Sequence, residues 1–123
     1  MIKNLGVDVI EVDRIKKAAD KWGETFLKKI YTDSEIEYSR GRRFVYEHLA
    51  ARFAAKEAVF KAFGNGNTMD INWTDIEILN DENGKPVVFL HGNAKKAMKD
   101  DEIVISMSHT KNYAVANAAI VKK

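Results

Sequence analysis

The chain has no cysteine, a single proline at Pro86, and no apolar run that approaches the length of a membrane span. Without cysteine there is neither a disulfide framework nor a thiolate metal site, which agrees with a reducing compartment, and a cytoplasmic location is expected. Lys3 and Asn4 interrupt the N-terminal stretch before an apolar signal-peptide core can form, so no leader and no membrane association are expected. Excess charge of one sign is also nearly missing. A formal net charge of +2 is too small to imply nucleic acid as a partner, although Lys28, Lys29, Arg40, Arg42, Arg43 and Arg52 gather positive charge in the middle of the chain. What remains is ordinary for a soluble domain: 46% hydrophobic and 31% charged residues in a chain of 123, enough for one core and one domain over residues 1–123.

The periodicities divide that domain into strand, helices, then strands. Ile2 to Ile10 reads as a strand with Val7 and Val9 on one face and Gly6, Asp8 and Ile10 on the other. Helical spacing of Val12, Ile15, Ala18 or Ala19, and Trp22 predicts a helix from Glu11 to Trp22, ended by Gly23. Phe26, Leu27 and Ile30 suggest a further short turn. Thr32-Asp33-Ser34-Glu35 is a helix-start signal for a segment reaching Ser39, with Thr32 or Asp33 as cap.

The longest helix is expected to begin near Arg43 and to end at Gly64. Its second half reads Phe53-Ala54-Ala55-Lys56-Glu57-Ala58-Val59-Phe60-Lys61-Ala62-Phe63, with no helix breaker. Leu49, Phe53 and Phe60 should form an apolar stripe with Glu57 on its edge and Lys61 one turn further on beside Glu57. Lys56 falls within the stripe, so a partly buried stem with its head reaching out is expected. Asn65-Gly66-Asn67-Thr68 follows as a polar loop whose backbone can approach a phosphate, although such loops most often simply turn the chain. Beyond Ile71 the apolar period becomes alternating. A hairpin around Asn83-Gly84 is expected, then a short helix capped by Asn93, then strands Ile103–His109 and Tyr113–Val121 joined at Thr110-Lys111-Asn112. The fold class is therefore α+β, with helices on one side of a mostly antiparallel sheet.

Three polar positions stand out against apolar surroundings: Asp8, the pair Glu57 and Lys61, and Ser108-His109. Asp8 and Glu57 together can hold a hard divalent cation, since Mg²⁺ takes one or two protein carboxylates and completes its shell with water and phosphate oxygens. Lys61 adds a point charge for the same phosphate. Each position also has a plainer reading. Asp8 can cap the helix that follows, Glu57 and Lys61 can form a surface ion pair worth about 0.2–0.5 kcal/mol, and His109 can be a strand-end histidine with satisfied hydrogen bonds. A serine hydrolase is excluded by the lack of a G-x-S-x-G elbow and by the opposite faces that adjacent Ser108 and His109 take on a strand. Histidine spacing offers no zinc site.

Three motifs shift the balance: Gly6-Val7-Asp8-Val9-Ile10-Glu11-Val12-Asp13-Arg14-Ile15, His48-Leu49-Ala50-Ala51-Arg52 running into Phe53 through Gly64, and Ile105-Ser106-Met107-Ser108-His109. Through their order and spacing the chain resembles the holo-[acyl-carrier-protein] synthases, the small bacterial 4′-phosphopantetheinyl transferases, along almost its whole length. The resemblance implies transfer of the phosphopantetheine arm of coenzyme A to a serine of apo-acyl carrier protein. It implies Mg²⁺ on Asp8 and Glu57, Lys61 at the leaving phosphate, and Glu57, directly or through a metal-bound water, as the candidate acceptor of the serine proton. Arg43, Arg52, Lys61, Ser108 and His109 become contacts to coenzyme A, and Arg14, Lys17 and Lys21 contacts to the acidic carrier, with Lys28 and Lys29 in support. It further implies a homotrimer with active sites shared between subunits. The rival readings are a non-catalytic basic module for an acidic protein or nucleic acid, and a phosphatase using the same carboxylates. The first lacks the base-edge readers and interleaved aromatics that nucleic acid demands.

Overall fold

The alternating N-terminal residues form strand β1 (Ile2–Glu11), which pairs antiparallel with β5 (Tyr113–Val121), and β5 pairs in turn with β4 (Glu102–His109). A separate two-stranded hairpin joins β2 (Ile76–Asn80) to β3 (Pro86–Leu90). The expected antiparallel sheet is thus two sheets, in the orders β1-β5-β4 and β2-β3. The computed structural model describes residues 1–64 and 70–123, so the loop Asn65-Gly66-Asn67-Thr68 lies outside the described residues. Among those described, no helix is long and apolar enough to cross a membrane.

The helices are α1 (Val12–Ile30), α2 (Asp33–Arg40), α3 (Val45–Phe63) and the short α4 (Gly92–Met98). Of these α3 lies across the face of the larger sheet that carries Gly6, Asp8 and Ile10, while α1 and α2 pack on α3 and α4 packs on the turn at Trp73. Gly23 interrupts α1 as its sequence suggests. Its φ of 59° and ψ of −138° are non-helical and divide α1 into two helical runs, the second of which passes through the turn expected around Phe26 and reaches Ile30. Trp22, expected on the apolar side, is 59% exposed beneath Lys21. Thr32 caps α2 in a reciprocal capping box with Glu35. Asn93 does not cap α4: His91 holds that position, and the Asn93 amide donates instead to the Asp70 carbonyl.

The central helix α3 departs most from its sequence pattern. It begins at Val45, after Phe44 has turned through a left-handed conformation with φ of 63°. Its deepest residues are small ones, Ala50, Ala51, Ala54, Ala55, Ala58 and Ala62, together with Leu49 and Val59. Phe53 and Phe60 are only half-buried and both rest on Trp73, with ring centroids 5.0 Å away in each case. The alanines exist for proximity. A Cβ at Gly6 would lie 2.0 Å from the Ala58 carbonyl oxygen, so helix and β1 touch backbone to backbone. Ala114, Ala116 and Ala118 of β5, all buried, continue this close contact surface.

Candidate active site

Asp8 follows Gly6 by one alternation of β1 and so projects from the same face, toward the C-terminal half of α3. There it meets Lys61, whose Nζ donates to Asp8 Oδ1 at 3.0 Å and to the Val7 carbonyl at 3.0 Å. The plainer sequence readings fail at both residues. Asp8 caps nothing, because the N-cap of α1 is Glu11 and it has no side-chain bond. Lys61 pairs across to Asp8 rather than along its own helix to Glu57. An ammonium carries three donors, and two of those on Lys61 are spent on this strand.

Glu57 sits half-buried beside them. Burial first, and then the neighbouring Asp8 carboxylate, push its pKa above the ordinary glutamate value, against a smaller opposing pull from Lys61. Two carboxylates that repel each other, with one lysine between them, form an oxygen-donor set suited to a hard cation. Among the described residues, no third carboxylate or histidine joins them to make a closed metal cage. Water and phosphate oxygens therefore remain to complete a shell, as Mg²⁺ prefers.

His109 lies elsewhere. In the sheet register it stands opposite Ala114, which pairs with Ile10, so it shares the helix-side face but belongs to the other end of α3. Its Nδ1 is 3.9 Å from Glu47 Oε2, and its ring meets that of His48 edge to face with centroids 5.6 Å apart. Tyr38 stands 5.8 Å beyond His48. Arg42 and Arg52 lie over the Tyr38 ring at 3.7 and 4.2 Å. Arg52 is only 1% exposed, hydrogen-bonded to Asn80 Oδ1, and its Nε is a buried donor with no partner among the described residues. Ser108 is not brought together with His109: it pairs with Val115 on the outer face of the sheet, as adjacent strand residues must. Arg43 is exposed, with its guanidinium 5.0 Å from the Phe44 ring. Arg14, Lys17 and Lys21 are all exposed on α1, where Lys17 pairs with Asp13 at 2.9 Å and Lys21 covers Trp22.

Sequence reasoning missed the buried pair that ties these elements together. Lys56 is fully buried, contrary to the expectation that its head reaches out. Its three donors go to the Ile30 carbonyl at 2.8 Å, Glu35 Oε1 at 2.6 Å and the Trp73 carbonyl at 3.1 Å. Glu35 also accepts from Thr32 N at 2.8 Å and from Ile78 N at 2.9 Å. Burial pushes the Lys56 pKa down, and Glu35 opposes that shift. The capping box identified Glu35 but gave no sign that its carboxylate also turns inward.

The family model of the 4′-phosphopantetheinyl transferase superfamily matches residues 4–118. A holo-[acyl-carrier-protein] synthase of Chloroherpeton thalassium is 45% identical over 112 residues, covering 91% of this chain and 92% of its own. The solved structure of a holo-(acyl-carrier-protein) synthase from Bacillus anthracis in complex with CoA (3′,5′-ADP) superposes with a TM-score of 0.83 at 35% identity, covering 100% of this chain and 99% of that one. The holo-[acyl-carrier-protein] synthase of Neisseria meningitidis gives a TM-score of 0.90 at 30% identity, over 99% and 100% of the two chains. The chain belongs to the 4′-phosphopantetheinyl transferase superfamily. Within it, the proteins similar to this chain from end to end are holo-[acyl-carrier-protein] synthases.

Proposed function

We propose that this protein transfers 4′-phosphopantetheine from coenzyme A to a serine hydroxyl of apo-acyl carrier protein, releasing adenosine 3′,5′-bisphosphate. The observation that carries the reading is the convergence of Asp8 with Glu57 and Lys61 across the Gly6 contact, inside a chain whose relatives bear that activity in their names. Asp8 and Glu57 are the residues that would hold Mg²⁺. Once bound, the ion would neutralise charge on the pyrophosphate as the transferred phosphorus is attacked. Lys61, with a donor left over, stabilises the oxygen that leaves with the electron pair of the broken P–O bond. The serine Oγ forms the new P–O bond, and its proton passes to Glu57 directly or through a water beside it.

Coenzyme A carries several phosphates, and the donors at the other end of α3 suit them: His109 and Arg43 at the surface, with the guanidinium of Arg52 buried behind them and supplying positive charge from below. His48 and Glu57 are nine residues apart on α3, about 13 Å along the axis at 1.5 Å per residue. One chain alone holds the two groups of site residues well apart. The outer face of the large sheet, with Leu5, Val7, Val9, Val104 and Val115 exposed, is also apolar enough to require a cover. These features support a homotrimer in which the carboxylate end of one subunit meets the histidine end of the next. The exposed basic face of α1, with Trp22 as an apolar anchor, is the surface for the acidic carrier. A chain without cysteine suits a reducing compartment, and the cytoplasm is the location we assign.

The direct test is to incubate the protein with coenzyme A, Mg²⁺ and an apo-carrier protein and to weigh the carrier; an unchanged carrier mass would sink the proposal. Asp8→Asn and Glu57→Gln should each lower turnover roughly 100-fold to 1,000-fold, the range for losing one group that stabilises transition-state charge. The thermal midpoint should barely move, because Asp8 pairs only with a half-exposed lysine. Arg14→Glu should raise the Michaelis constant for the carrier roughly tenfold at low salt and leave that for coenzyme A in place. Added salt should shrink the difference, and equal effects on both substrates would contradict the assignment of α1.

A further inference from the structure

One histidine at the N-terminal end of α3 has no part in the transfer chemistry above. His48 is half-buried between two rings, Tyr38 at 5.8 Å and 87° and His109 at 5.6 Å and 66°. Edge-to-face packing of this kind fixes ring planes on both sides. The charged and titratable groups around the pair come from each neighbouring element: Tyr38 from α2, Arg42 from the segment after it, and Glu47 and Arg52 from α3. Both arginines lie over the Tyr38 ring, on one side of His48. The Glu47 carboxylate stands on the other side, against His109 at 3.9 Å. A proton on His48 would face the two nearby guanidinium charges, so the ring resists it.

We propose that His48 is a positioning residue for His109: packed between Tyr38 and His109, it fixes the His109 ring beside Glu47. Burial, then His109, Arg52 and Arg42, all lower the pKa of His48, and Glu47 opposes them only weakly. The inference rests on the reading of His109 as a contact to coenzyme A phosphates, where a ring N–H held in one direction is what a phosphate needs. It has a consequence for stability whose sign follows from linkage. The unfolded chain takes up a proton at His48 near pH 6.5, the ordinary value, and the folded chain resists it. This contribution is therefore fully present above about pH 6.5 and is lost as the pH falls below it.

The test is an NMR titration of the histidine ring C2–H signals over roughly pH 5 to 8, in the parent protein and in His48→Phe, His48→Ala and His48→Arg. It is paired with Michaelis constants for coenzyme A in the same proteins and in His109→Ala. The His48 signal should titrate below the ordinary histidine range. His48→Ala should raise the coenzyme A constant about tenfold with little change in kcat, and His48→Phe, which keeps the ring, should bring it back to within about twofold. His48→Phe should also lose less of its thermal midpoint on acidification than the parent. His48→Arg, which cannot pack as a ring between Tyr38 and His109, should weaken coenzyme A as His48→Ala does. A His48 signal titrating at or above the ordinary range, or a coenzyme A constant no better in His48→Phe than in His48→Ala, overturns the proposal. An unchanged coenzyme A constant in His109→Ala overturns instead the reading of His109 as a coenzyme A contact, and the displacement of the His109 C2–H signal in His48→Ala then decides whether His48 orders its ring.

Discussion

Gly6→Ala should destabilise the protein by at least about 3 kcal/mol and abolish transfer, even though it adds one methyl group. The atoms that the new Cβ meets are all backbone: the Ala58 oxygen at 2.0 Å, the Ala62 nitrogen at 2.8 Å and the Ala58 carbonyl carbon at 3.0 Å. No rotamer change relieves such a clash, so α3 must move away from β1 as a body. Glu57 and Lys61 adjoin the two alanines concerned, and Asp8 lies two residues from Gly6. The displacement that relieves the clash therefore pulls the acidic and basic groups of the site apart. Urea unfolding and carrier-mass turnover measure the two losses separately. Gly41→Ala is the control, since its Cβ would find its nearest neighbour at an ordinary 3.5 Å. A Gly6→Ala protein that unfolds within about 0.5 kcal/mol of the parent would mean that helix and strand are not in backbone contact.

The second large effect is expected at Lys56. Lys56→Ala leaves the Glu35 carboxylate buried with only the Thr32 and Ile78 amides for partners, and strips the Ile30 and Trp73 carbonyls of their donor. Breaking a buried pair by removing one member costs about 3–5 kcal/mol, because the surviving charge stays out of water. Replacing both members by apolar residues, Lys56→Met with Glu35→Leu, should recover much of the loss, since the pair itself adds little net stability. Denaturant unfolding of the two single variants and the double closes a thermodynamic cycle, with an expected coupling on the order of 1–3 kcal/mol. Additive losses would show that the two side chains do not act as a unit. The fold depends on this pair because it ties the end of α1, the start of α2, β2 and the turn at Trp73 to one point on α3.

Much of this was readable before the structure. The face of Asp8, the capping box at Thr32, the hairpin at Asn83-Gly84 and the final strand pair follow from local rules: period two, capping chemistry and turn preference. The helical stripe of α3 was misread because hydrophobicity marks large residues, whereas a helix laid directly on a glycine needs small ones. Phe53 and Phe60, the residues that looked most buried, serve a side cluster with Trp73 instead. Lys56 was misread for a similar reason. A lysine among alanines normally reaches for water, and only a carboxylate 21 residues earlier in the chain makes burial tolerable. The break at Gly23 was legible, since glycine is the residue that takes a positive φ where a helical run stops. The candidate site divides in the same way: Asp8, Glu57 and Lys61 stood out as candidates one by one, but the Lys61–Asp8 pair and the contact joining His48 to His109 both come from packing a helix on distant strands, which no local pattern contains.

The outer face of the three-stranded sheet has a practical meaning. Leu5, Val7, Val9, Val104 and Val115 lie side by side there, exposed in the single chain. If copies of the chain cover one another on this face, the folded state gains free energy by mass action and the thermal midpoint depends on protein concentration. Dilution would then lower activity and stability together. A charged residue at Val7 or Val9 would have a similar effect to dilution, with every group of the chemistry left in place.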